Sequence, residues 1–185
     1  MTRTWRVALA LVCAVGAVIA AQARYTWSEE VRTAPFPGSY SFPVYTVRNE
    51  LWALHPEGAW TSRDAKSWTR TPLPASGLNY GYQHYARLGD AVYALGTMTG
   101  NYLDLHLTSR ISRTTDLRRW ETVAAESNLP RRVFYGAVVH DGRIFLMGGF
   151  DGRAYFNDVW MSTDAVHWTR VIEHAPWTER NVDMT

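Results

Sequence analysis

Three aspartates, Asp64, Asp116 and Asp164, stand at matching places in the chain, each two residues after a serine or threonine and four before a tryptophan. The segments read Ser62-Arg63-Asp64-Ala65-Lys66-Ser67-Trp68, Thr114-Thr115-Asp116-Leu117-Arg118-Arg119-Trp120 and Ser162-Thr163-Asp164-Ala165-Val166-His167-Trp168. Carboxylates gathered from separate segments can hold a divalent cation or share acid–base work. The spacing argues against both here. The tryptophans recur at steps of 52 (120 − 68) and 48 (168 − 120), and a period near 50 residues marks a stacked or radial array. An acid that returns at the same place in every repeat is a scaffold element, and none of the three segments has the alternating oxygen ligands of a calcium loop.

Other residues of chemical interest fare no better as catalysts. Gly148-Gly149-Phe150-Asp151-Gly152 has the glycines of a phosphate-binding loop, but neither the following Lys-Ser/Thr nor a helix whose N-terminus would hold an anion. It reads as a strand-end turn. The six histidines show no metal-ligand spacing, and His140 and His167 sit beside turns, where solvent exposure is expected. There is no Gly-x-Ser-x-Gly elbow. The sequence therefore offers no catalytic residue, no metal ligand set and no cofactor motif.

The first 23 residues read as a secretory leader: Arg3 and Arg6, an apolar run from Val7 to Ala20, and the small-x-small site Ala21-Gln22-Ala23. The run is shorter than the roughly 20 residues that span a bilayer. The expectation is an exported protein, periplasmic or secreted, with no membrane attachment after cleavage; N-terminal sequencing of the exported protein checks it. Cys13, the single cysteine, leaves with the leader, so the mature chain has no disulfide, thiol nucleophile or thiolate ligand. The net charge of +2 falls to 0 as Arg3 and Arg6 depart, which removes any electrostatic reason to expect nucleic-acid binding. The remaining 162 residues (185 − 23) suffice for one domain.

The elements that must position these residues are short strands. Tyr135 to His140 is a strand-like run, Asp141-Gly142 a two-residue hairpin signal, and Arg143 to Met147 the returning strand. A third strand follows at Asp158 to Ser162, and a fourth at His167 to Val171 after the aspartate turn. Ala91 to Gly96, Arg110 to Ser112 and Arg119 to Val123 match the last three of these in the middle repeat. Glu50 to Leu54, Gly58 to Thr61 and Ser67 to Arg70 match them in the first, with Trp60 at the place of Trp160. Each repeat thus predicts a four-stranded antiparallel sheet, with its tryptophan filling the gap between neighbouring sheets. A lone sheet of this size cannot bury both faces, so the sheets must stack. No stretch of the mature chain has sustained helical periodicity. Trp27 to Pro35 resembles Trp168 to Pro176, which predicts an N-terminal outer strand, and Ala175-Pro176-Trp177 looks like the start of another repeat.

Gly148-Gly149, Tyr155, Asn157-Asp158-Val159-Trp160, Trp168 and Ala175-Pro176-Trp177 together resemble bacterial Kelch-repeat proteins of the galactose-oxidase-like propeller superfamily. The resemblance is clearest over residues 131–180 and fades towards 24–75. The Asp-box of sialidase-type propellers differs: it has a glycine between acid and aromatic and one more residue before it, and no repeat here has either. The resemblance implies an all-β Kelch-type propeller over residues 24–185, with blades at about 40–75, 80–128 and 131–174 plus the N-terminal outer strand. Propellers have four to eight blades, so three make an incomplete ring. Either two copies close it as a homodimer, or the reading frame is a piece of a longer propeller; the abrupt departure of Asn181 to Thr185 from the pattern favours the second. Galactose oxidase itself uses copper and a cysteine-crosslinked tyrosine, and a mature chain without cysteine excludes that cofactor. Propellers bind at rim loops, which points to Thr97–Thr108 and Phe150–Asn157. Their Tyr102, Asp104, His106, Asp151 and Arg153, with Tyr155, are candidate binding residues for a glycan or protein partner. The expected function is a non-enzymatic binding scaffold. The alternatives are an envelope carbohydrate enzyme of the superfamily, of the sialic-acid mutarotase type, or a truncated product without activity.

Overall fold

The computed structural model describes residues 26–39, 42–72, 84–101 and 104–182. The leader, Tyr102 and residues 183–185 lie outside them. Twelve strands form three separate four-stranded antiparallel sheets. The first holds β1 (Val44–Val47), β2 (Glu50–His55), β3 (Gly58–Ser62) and β4 (Thr69–Thr71). The second holds β5 (His84–Leu88), β6 (Ala91–Asn101), β7 (Asp104–Thr114) and β8 (Glu121–Ala124). The third holds β9 (Gly136–His140), β10 (Arg143–Met147), β11 (Val159–Ser162) and β12 (Thr169–Ile172). Spatial order follows chain order in every sheet, and no helix is present among the described residues. This is the blade pattern of an incomplete propeller.

Hairpin chemistry explains the registers. Arg48-Asn49 and Asp141-Gly142 have positive φ at both central residues (51° and 61°; 50° and 68°), the backbone hand that matches the twist of paired strands. The aspartate turn is built alike in each sheet. Asp164 Oδ1 accepts the backbone N–H groups of Val166 and His167 at 2.9 and 2.8 Å and the Ser162 hydroxyl at 3.1 Å. Asp116 and Asp64 repeat the pattern on Arg118 and Arg119 and on Lys66 and Ser67. The residue after each acid, Ala65, Leu117 or Ala165, is held at a positive φ of 60°, 57° or 67°. Burial acts to raise the Asp164 carboxyl, but the N–H and ring of His167, the N–H of Val166 and the Ser162 hydroxyl outweigh it and hold the acid well below its usual range. At Asp64 the N–H groups of Ser67 and Lys66 and the Ser62 hydroxyl hold the carboxyl at about 2. These acids are committed to turns.

Two apolar layers join the sheets. Trp52, Leu54, Val47 and Ala59 pack with Tyr85, Val92, Ala94 and Leu117 between the first and second. Ala86, Leu95 and Ile111 pack with Leu129, Tyr135, Ile144, Leu146, Ala165 and Trp168 between the second and third. Trp168 is 3% exposed, and its ring N–H donates to the Ala165 carbonyl at 2.8 Å.

Two expectations are corrected. The N-terminal outer strand does not form: no described strand precedes Val44, and Trp27 is 95% exposed. A single strand without a sheet to extend has no partner for its backbone. The segment Thr97–Thr108 is also not a loop. β6 and β7 run on past the blade as a ribbon paired from Thr97↔Thr108 to Asn101↔Asp104. Gly96, at φ 62°, sits at the register shift that bends the ribbon away from the blade, and the Thr97 and Thr108 hydroxyls meet across it at 2.6 Å.

Candidate functional site

The connections β6–β7 and β10–β11 leave equivalent ends of neighbouring sheets, so the two candidate segments share a rim. They also meet: a Cβ placed on Gly152 would lie 4.0 Å from Leu105 Cδ1. On the ribbon, His106 Nε2 is 3.5 Å from Asp104 Oδ1, and both side chains are largely exposed. On the loop, Asp151 Oδ1 accepts the N–H groups of Arg153 and Ala154, each at 2.8 Å. Burial acts to raise this carboxyl, but the N–H groups of Ala154 and Arg153 and the charge of Arg132 together outweigh it and hold it below its usual range. Asp151 is a turn former, then, and its job is to present the exposed Arg153. The structure brings Asp104, His106, Asp151 and Arg153 to one rim and gives Asp151 a local structural role.

A deeper feature lies beside them. Arg132, from the segment that leads into β9, makes a two-pronged pair with Asp158 at 2.6 and 3.2 Å and donates to the Gly148 carbonyl at 3.0 Å. Both side chains are almost wholly buried. The guanidinium stacks 4.0 Å over the Phe156 ring, and the Trp160 ring N–H donates to Asp158 Oδ2 at 2.7 Å. Both oxygens of Asp158 are thereby engaged. Breaking such a pair strands a buried charge, so the whole β10–β11 connection is clamped.

Above the clamp is a groove of about 330 Å³, lined by Tyr155, Trp160, Arg170, Glu173, His174 and Glu179 among others. Tyr155 is exposed and stacks on Phe150 at 4.8 Å and 29°. Arg170 is paired with Glu173 at 2.9 Å, and His174 Nδ1 is 3.4 Å from Asn157 Oδ1. A larger hollow of about 470 Å³ beside Glu57, Gly58, Arg70, Thr71 and Pro72 has no exposed aromatic platform and only two charged groups. The blade-three groove is the better candidate because aromatic and charged groups converge there. Among the described residues no cluster of His, Cys, Asp or Glu has the makings of a metal site, and no helix is long and apolar enough to cross a membrane.

Sequence reasoning missed Arg132, Trp160, Arg170, Glu173 and His174 as site residues. Asn157-Asp158-Val159-Trp160 was visible as a motif, but its pattern signals blade architecture. Arg170 and His174 lie one strand further on, where only the β11–β12 pairing (Trp160↔Arg170) brings them alongside.

Comparisons with known proteins agree with this architecture. A family profile described as the Kelch motif matches residues 131–161. The leucine-zipper-like transcriptional regulator 1 homolog of Drosophila melanogaster is 29% identical over 105 residues, covering 51% of this chain and 10% of that protein. The solved structure of YjhT superposes with a TM-score of 0.62 at 13% identity, over 82% of this chain and 56% of that one. The chain thus spans a tenth of the curated relative and little more than half of the solved one, and the likeness is one of fold.

Proposed function

We propose that this Kelch-repeat chain is an exported binding scaffold whose blade-three rim holds a saccharide. The observation that carries the reading is the groove of about 330 Å³ that sets the exposed Tyr155 ring beside Arg170, Glu173 and His174. A planar ring offers its face to the apolar side of a sugar, and ionic groups beside it can hydrogen-bond the hydroxyls. The clamp beneath keeps that arrangement rigid, which lowers the entropy lost on binding. Asp104, His106 and Arg153 stand on the same rim and extend the contact surface for a longer glycan.

A carbohydrate enzyme would need an acid and a base free to exchange protons at the bound sugar. Of the acids that line the groove, Asp158 is engaged by Arg132 and Trp160 and Glu173 is paired with Arg170, which supports recognition over turnover. A glycan array followed by titration calorimetry tests the reading. Tyr155→Ala and Arg170→Ala should each weaken binding by about tenfold, roughly 1.4 kcal/mol, with no change in thermal midpoint. A wild-type protein that retains no saccharide on the array, or binding untouched by both substitutions, would overturn it.

A further inference from the structure

Two residues that line the blade-three groove, Asn157 and His174, share a contact that admits one proton position. Asn157 stands two residues before β11 and His174 two after β12, so the contact joins the ends of neighbouring strands. The Asn157 amide nitrogen donates to the carbonyls of Ala175 and Trp177, at 3.2 and 2.9 Å. A backbone carbonyl can only accept, so both amide protons are used and the amide has a single orientation. The Asn157 backbone carbonyl also accepts the Ala175 N–H at 3.0 Å, which holds the segment that carries His174. The Asn157 side chain is buried, and its Oδ1 is left facing His174 Nδ1 at 3.4 Å.

That contact is long, but its polarity decides the tautomer. An amide oxygen has lone pairs and no proton, so an unprotonated Nδ1 would set lone pair against lone pair. In the neutral imidazole the proton therefore belongs on Nδ1 and the lone pair on Nε2, because the partner of one ring nitrogen fixes the state of the other. His174 is exposed and lines the groove, and Nε2 has no partner among the described residues. The ring thus offers the groove an acceptor. The surrounding charges act in the same direction. Two cations, Arg132 and Arg170, and three carboxylates, Asp158, Glu173 and Glu179, line the groove, a balance of −1 (2 − 3). Arg132 is paired with Asp158 and Arg170 with Glu173, which leaves the exposed Glu179 as the unmatched charge.

We propose that Asn157 is a positioning residue that holds His174 as a hydrogen-bond acceptor, so that the groove selects neutral saccharides, which donate a hydroxyl proton to Nε2, over their uronic-acid counterparts. The choice of ligand rests on the saccharide reading; the place of the proton on His174 does not. A hydroxyl brings the donor that Nε2 needs. A uronic acid has hydroxyls too, but its carboxylate must enter a groove whose balance is already negative and whose cations are both engaged. Selectivity then comes from what the groove repels as much as from what it attracts.

Two-bond proton–nitrogen correlation spectra of the isotope-labelled full chain, in mildly alkaline buffer and without any sugar, read the place of the proton, and His174→Gln assigns the signals. In wild type the proton should sit on Nδ1. Asn157→Ala should move it towards Nε2, with a dispersed amide spectrum to show that the variant is folded; where it is not, the wild-type spectrum decides alone. A wild-type proton on Nε2, or one that a folded Asn157→Ala leaves in place, would overturn the proposal. Selectivity is read with neutral hexose oligosaccharides and their uronic-acid counterparts, glucose with glucuronic acid and galactose with galacturonic acid. The neutral member of a pair should bind at least about tenfold more tightly, and equal or tighter binding of the acidic member would overturn the selectivity. Binding of neither series, with the proton on Nδ1, would overturn the saccharide reading and the selectivity with it, and leave the His174 assignment standing.

Discussion

Trp168 and Trp68 close the same hairpin in the third and first sheets, with the same ring N–H bond to the carbonyl three residues back, at 2.8 and 3.0 Å. Trp168 is buried between sheets, while Trp68 is half-exposed beside Phe36. The turn is therefore written locally, in the hydroxyl and the acid, which recur in all three sheets, while the indole bond is made by Trp68 and Trp168 and not by Trp120. The burial is supplied by whatever sheet stands in front. A motif repeated with fidelity fixes geometry three times over, but contributes core energy only where a neighbour covers it.

That contrast can be broken by removing the indoles one at a time. Trp168→Ala should cost about 3–5 kcal/mol, the range for deleting a large buried aromatic. Trp68→Ala should cost less than half as much, because part of its ring is already in water. Urea denaturation of the two variants, under conditions where the protein is monomeric, measures the difference. Equal losses would mean that the tryptophan stabilises the turn and that inter-sheet packing matters little.

A second, smaller effect separates the inner strands. His84 begins β5 at a buried site, accepts the Phe134 N–H at Nε2 (3.1 Å) and stacks on Tyr135. Its third-sheet counterpart is Gly136. Burial drives the imidazole down from its usual 6.5 to about 3. The unfolded chain therefore takes up a proton below pH 6.5 that the folded chain refuses until about pH 3. Stability is unaffected above pH 6.5 and falls as the pH drops through that window, by about 2 kcal/mol at pH 5 on a slope of about 1.4 kcal/mol per pH unit. His84→Gln should be less stable at neutral pH yet lose this slope. Thermal midpoints between pH 7 and pH 5 that fall in parallel for the two proteins would place the proton elsewhere.

The sheets, their hairpins and the tryptophan positions were legible because they depend on neighbours in sequence: Asp141-Gly142 sets a backbone hand, and alternation sets a face. The ribbon was not, because Gly96 and Gly100 interrupt a threonine-rich alternation that only cross-strand pairing sustains. The strand at Trp27 was misread for the opposite reason, a good local pattern without a sheet to join. For the site, Asp104, His106 and Arg153 were found as exposed charges on a rim. Asp151 was chosen for its charge, although both its bonds are to its own turn. Arg132 and Asp158 stand 26 residues apart, and nothing short of the folded blade makes them a pair.

The smallest test returns to the aspartate turns. A side chain at positive φ costs about 1 kcal/mol relative to glycine, and the chain accepts that cost at Ala65, Leu117 and Ala165. At Ala165 the methyl is fully buried in the layer between the second and third sheets. Losing it would return about 0.8 kcal/mol to the unfolded side, so Ala165→Gly should leave stability nearly unchanged. At Ala65 the methyl is exposed, and Ala65→Gly should stabilise by about 1 kcal/mol. Thermal unfolding of the two glycine variants measures the difference, and an equal gain at both positions would show that the buried Ala165 methyl contributes nothing beyond the turn's own chemistry.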